Sequence, residues 1–131
     1  MLRLRRTSDK TWTKQHSKNR TKKFALQVIA LVESHGRTKA IDVIGRQLLR
    51  CATSVGTDYR AACRGRSTAD VRAKLAIVEE EAHKSIYWME LLEESGVIGA
   101  ERVTSLKKEA NELVAMTVAS IKTMRGRAAG R

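Results

Sequence analysis

The stretch Gln47–Ser67, QLLRCATSVGTDYRAACRGRS, constrains the chain most, because its pattern is that of one long helix with two unlike faces. At about 100° per residue, Leu48, Cys51, Val55, Tyr59 and Ala62 share one side, and Ile41 and Ile44 extend it backwards. Arg46, Arg50, Arg60 and Arg64 share the other side, all within roughly 40° of a common line that Thr53 and Thr57 fill between them. One side suits a core and the other suits something negative. Neither has the makings of an active site.

The rest of the chain continues this helical period. Phe24, Val28, Leu31 and Val32 mark a stripe over residues 21–35, which Leu26 and Ile29 widen; Gly36 stops it and Thr38 can cap the next helix, residues 38–64. Gly65 ends that helix, and Ser67-Thr-Ala-Asp70 resembles a capping box for a helix over 68–94. Its stripe is Val71, Leu75, Val78, Ala82 and Met89, broadened by Ile77, Ile86, Trp88, Leu91 and Leu92. So wide an arc predicts more than one neighbour, within the bundle or across an oligomer interface. Ser95-Gly96 closes it, and a fourth helix over 100–125 carries Val103, Leu106, Ala110, Leu113, Val114, Thr117, Ile121 and Met124. Gly56 sits at the edge of the apolar side of the second helix, either to let a neighbour approach or merely tolerated there. The chain has no proline and one phenylalanine, a composition poor in the turn signals a sandwich or barrel needs. The expected fold is all-α, an up-down-up-down four-helix bundle.

Charge is segregated along this frame. The net charge of +12 lies wholly in the first half: residues 1–23 carry nine Lys or Arg against Asp9, and residues 24–66 carry seven against Glu33, Asp42 and Asp58. Residues 67–131 carry ten of each sign. Such asymmetry is the footprint of a polyanion binder. The domain plan that follows is a basic disordered arm over 1–23, a bundle over 24–125 and a short basic tail over 126–131. In the arm the apolar content after Leu4 is too low to offset ordering entropy. Its Trp12 stands among Lys10, Lys14 and Lys18, where it would serve base stacking or packing onto the bundle equally well. The arm shares the basic, acid-poor character of a transit peptide, a minority reading; a cytoplasmic location is expected. Cys51 and Cys63 stand twelve residues apart, about 18 Å along one helix, too far for a disulfide, so both are expected reduced.

Other chemistry is poorly supported. Glu80-Glu-Ala-His83 has the Glu-x-x-His spacing of di-iron bundles, yet no second copy exists, and Glu80 falls opposite Val71 on the wheel. His16, His35 and His83 stand with no nucleophile at recognisable spacing, and no Gly-Lys-Ser or Gly-Lys-Thr phosphate loop is present. No enzyme activity, metal or cofactor is expected. The expected contacts to nucleic acid, RNA rather than DNA, are Arg46, Arg50, Arg60, Arg64 and Arg66 on the helix face, with Lys10, Lys14, Lys18, Arg20, Lys22 and Lys23 on the arm.

Specific motifs carry a family resemblance beside this pattern. Arg46-Gln-Leu-Leu-Arg50, Thr53-Ser-Val-Gly56, Asp58-Tyr-Arg-Ala-Ala-Cys-Arg64 and Ser67 are followed by Val78-Glu-Glu-Glu-Ala82 and Tyr87-Trp-Met-Glu-Leu-Leu92. In this order and spacing they resemble the bacterial four-helix-bundle proteins encoded in intervening sequences of large-subunit ribosomal RNA genes, over about Phe24 to Thr123. The resemblance implies a left-handed bundle in a homo-oligomer, characteristically a pentamer, and no enzymatic activity. The accessory protein of diversity-generating retroelements is similar in architecture, and there a basic pentamer binds a reverse transcriptase and its template RNA. A scaffold that docks such a partner protein is therefore the alternative function. Two positions depart from the family's pattern: Asp58 stands where Asn is usual, and His83-Lys84 where an acidic pair is usual.

Overall fold

The structure, a computed structural model, describes residues 13–129, with side chains through Gly126. Four helices follow one another, α1 (Lys14–Glu33), α2 (Lys39–Cys63), α3 (Thr68–Glu94) and α4 (Ala100–Ala129), joined by short turns as an all-α four-helix bundle. Each helix packs on the next in the chain; the α1–α4 seam is the sparsest.

Caps set the helix starts where the sequence places them. Thr38 Oγ1 accepts the Ile41 amide at 3.1 Å, and Ser67 Oγ accepts the Asp70 amide at 3.0 Å. Asp70 does not complete a capping box: its Oδ2 accepts the Arg66 amide at 3.1 Å, one residue ahead of the cap. After α3, Gly96 takes a left-handed φ of 79°, the Ile98 amide donates to Leu92 O at 3.1 Å, and the Ile98 side chain is buried.

The core runs the length of the bundle: Phe24 and Val28 from α1, Leu48 and Val55 from α2, Val78 and Met89 from α3, Val103 and Leu113 from α4 are all fully buried. Between α1 and α2 the backbones come close. A Cβ on Gly45 would stand 3.2 Å from Val32 Cγ1, and one on Gly56 would stand 3.4 Å from Thr21 Oγ1. Gly56 thus faces Thr21 of α1, where an added methyl would meet it at ordinary contact distance. Between α2 and α3, the buried Ser85 Oγ lies 3.3 Å from Cys51 Sγ. Both cysteines are free.

Three expectations are corrected. Helix α1 begins at Lys14, not near Thr21, so residues 14–23 of the expected arm are helix. Thr13 caps it, and Ser17 and Thr21 are buried on the line that continues through Phe24, Val28 and Leu31. Hydroxyls at the first two of these positions mask the apolar period from a reading of hydropathy. Lys10 and Trp12 lie outside the described residues. At the other end, α4 continues to Ala129, past the expected end near Arg125. Finally, Leu26 and Ile29 do not widen the core: Leu26 is 56% exposed, two residues and so about 160° around the helix from Phe24.

Candidate nucleic-acid interface

Helix α2 presents Arg46, Arg50, Arg60 and Arg64 to solvent, and Arg66 follows, also exposed, in the turn to α3. Arg46 and Arg50 are one turn apart, as are Arg60 and Arg64, and the strip from Arg46 to Arg64 is about 27 Å long at the helical rise. None of the five makes an ion pair among the described residues. Of the nearby acids, Asp42 pairs with Arg37 at 3.3 Å, and Asp58 makes no ion pair among the described residues. Burial pushes the Asp58 carboxyl up. The hydroxyls between the pairs are already engaged: Thr53 Oγ1 donates to Leu49 O at 2.7 Å and Thr57 Oγ1 to Thr53 O at 2.8 Å. The strip therefore offers guanidinium donors and little else.

Helix α1 extends this surface sideways. With Thr21 against Gly56 and Val32 against Gly45, the two helices run antiparallel in a register that brings Lys18 level with Arg60. Lys22 follows one turn along the same flank and is exposed, whereas Lys18 is half-buried. Lys14 opens the helix at the end where Arg64 and Arg66 lie.

Two of the expected contacts are not part of this surface. Arg20 turns to α4: its Nε donates to Glu109 Oε2 at 2.8 Å, its Nη2 to Glu109 Oε1 at 2.9 Å, and Nη2 also meets Glu112. The Glu109 hydrogen bond raises its pKa further. Sequence distance conceals this partner, since Glu109 lies 89 residues away. Lys23 lies on the same flank, lining with His16, Arg20 and Glu109 a cleft of about 450 Å3 between α1 and α4.

On α3 and α4 some cations have acidic partners. On α3, Lys74 pairs with Asp70 at 2.7 Å, His83 lies 3.8 Å from Glu79, and Lys84 lies 3.8 Å from Glu81. Lys107 of α4 reaches Glu93 at 2.5 Å, a contact that raises the lysine pKa. Glu80 and His83 are both exposed, and among the described residues no three His, Cys, Asp or Glu side chains gather as a metal cluster would require. No helix among these residues is long and apolar enough to cross a membrane.

At the end where α1 and α3 begin and α2 and α4 finish, an open groove of about 940 Å3 lies among all four helices. Tyr59, Val71, Leu75 and Met124 form its apolar part, with Lys14 and Arg66 also lining it. Gly65 makes room for this corner, since a Cβ there would stand 2.4 Å from Val71 Cγ2. Burial pushes the Tyr59 phenol up to about 12, against the opposing effect of the Ser17 hydroxyl beside it. Ser17 Oγ is itself buried. The groove is a feature that reading the sequence missed, because its walls come from four separate segments.

A family profile described as 23S rRNA-intervening sequence protein matches residues 13–119, taking in part of α1 that the motif resemblance left out. A crystal structure of a protein with unknown function, from the S23 ribosomal protein family and from Bacteroides thetaiotaomicron VPI-5482, is similar with a TM-score of 0.78 and 29% identity. The match covers 83% of this chain and 97% of that one. No curated protein matches the chain.

Proposed function

The chain belongs to the 23S rRNA-intervening sequence protein family, and we propose that it is a non-enzymatic RNA-binding bundle acting as a homo-oligomer. The observation that carries this reading is the exposed strip of Arg46, Arg50, Arg60 and Arg64 with no ion pair among the described residues, flanked by Lys18 and Lys22. An unpaired guanidinium can fork onto phosphate oxygens and release their counterions. Phosphate contacts of this kind read a backbone, not bases, so structured RNA is engaged by shape and charge. Oligomerisation would set several copies of the strip on one polyanion and multiply a weak contact.

A second reading follows from the exposed apolar side chains. Val43 on α2 is 60% exposed, and on α3 Ile77 and Tyr87 are 44% and 54% exposed. They favour protein contact, either copy to copy, with a pentamer implied by the family resemblance, or as a scaffold docking a partner such as a reverse transcriptase. The deciding experiment measures affinity for a structured RNA across a salt series, with the solution mass recorded alongside. A linear fall of log K against log salt, of slope corresponding to about four to six phosphates, supports the RNA reading. Absence of binding at low salt rejects it and leaves the scaffold.

A further inference from the structure

The groove at the end of the bundle joins two properties that the Arg strip lacks: apolar depth and a cationic edge. Its volume of about 940 Å3 falls in the range of sites that hold a small ligand, ~300–1,000 Å3. Val71 and Met124, both half-buried, supply apolar surface over the buried Tyr59 and Leu75, and Lys14 and Arg66 bring positive charge from two different elements. Neither cation makes a salt bridge among the described residues. The N-terminal end of α3 is not the source of attraction, because Asp70 already stands there, accepting the Arg66 amide and the Lys74 ammonium.

The groove is also continuous with the strip. Arg60 and Arg64 form the end of α2, Gly65 turns the chain, and Arg66 lines the groove. A strand held by its phosphates along α2 arrives at this edge with its next nucleotide free to turn inward. We propose that the groove receives one unpaired nucleotide of the bound RNA, with its phosphate between Lys14 and Arg66 and its base against Val71 and Met124. Single-strand binding likewise combines a cationic track for phosphates with apolar surface for bases. The proposal rests on the RNA-binding reading and adds to it a preference for RNA with an unpaired end.

The test compares a blunt RNA hairpin with the same hairpin carrying a two-nucleotide 3′ overhang, both titrated against the full chain. The overhang is expected to tighten binding about tenfold, the size of one base contact. Ala119 and Thr123 line the groove from exposed positions of α4, so Ala119→Phe and Thr123→Phe fill it without touching charge or core. Both variants are expected to lose the overhang gain and keep the blunt affinity. Arg66→Gln is expected to weaken both RNAs and reduce the gain. Equal affinity of the two RNAs for the unmodified protein overturns the proposal while leaving the RNA reading intact. So does an overhang gain that survives in both filled variants. Failure of either RNA to bind removes the RNA reading itself, and this inference with it.

Discussion

The outer faces of α1–α2 and of α3–α4 both carry charge, but they dispose of it differently. On α3 and α4 three cations meet acids of the same or the adjoining helix, Lys74 with Asp70, Lys84 with Glu81 and Lys107 with Glu93; Arg72, Lys108, Lys122 and Arg125 make no ion pair among the described residues, but residues 67–131 carry ten acids to ten bases. On α2 the arginines of the strip meet none among the described residues, and on α1 the fork of Arg20 is satisfied by α4. Exposed pairs are worth little to stability, so the pairing on α3–α4 does not hold the fold together. The balance of acids and bases, more than the pairing, leaves that half without net positive charge. What distinguishes the two halves is whether the charge is left over, and a leftover charge is one an external anion can use. His83-Lys84, which stand where the family resemblance has an acidic pair, add to this self-neutralisation on α3.

The comparison breaks most visibly if the strip is inverted. Arg50→Glu with Arg64→Glu is expected to weaken RNA binding on the order of 100-fold at low salt and to lower the salt slope by about two, helicity and solution mass unchanged. The matched control, Lys84→Glu with Lys108→Glu, is expected to change affinity less than about threefold; a comparable loss would erase the difference between the faces. Next in size is Gly56→Val. Branched methyls where a Cβ already stands 3.4 Å from Thr21 are expected to cost about 1–3 kcal/mol in chemical denaturation and to disturb the register that sets Lys18 beside Arg60. Arg20→Ala sharpens the comparison from the other direction. It removes a half-buried fork and is expected to cost about 1 kcal/mol of stability in a urea melt, while RNA affinity falls less than about threefold.

Smallest is Asp58→Asn. Burial raises the Asp58 carboxyl above its usual range, so the folded state holds its proton more tightly than the unfolded chain does. Its contribution to stability is most favourable below the ordinary carboxylate pKa of about 4 and falls as pH rises through the raised value. Replacement by the neutral amide is therefore expected to stabilise at pH 7, by no more than about 0.5 kcal/mol after solvent screening, and the gain to vanish near pH 4. Melts at the two pH values give the difference directly.

Much of the bundle is legible in the sequence because it is local. Helix α3 spans Thr68–Glu94 as read, since Ser67 caps one end and Gly96 turns the chain at the other. The Arg strip is legible for the same reason, being one face of one helix. The start of α1 is not, because Ser17 and Thr21 occupy core positions with hydroxyl groups and their burial depends on the close approach of Gly56. The fate of Arg20 and the existence of the groove depend on α4 and on all four helices respectively. Helical spacing carries no information about such partners.

The sparse seam between α1 and α4 has a consequence in time. The helix that carries Lys14, Lys18 and Lys22 is anchored on one side by α2 and on the other chiefly by the Arg20 fork and a contact from Arg102 to Ser34. Such an element is the first to open in native-state fluctuations, and its amides exchange with solvent ahead of those in α2 and α3. A polyanion laid across α1 and α2 joins the loosest helix to a firmer one. Its arrival is then recorded as slowed amide exchange in α1, even where no side chain of that helix touches the ligand.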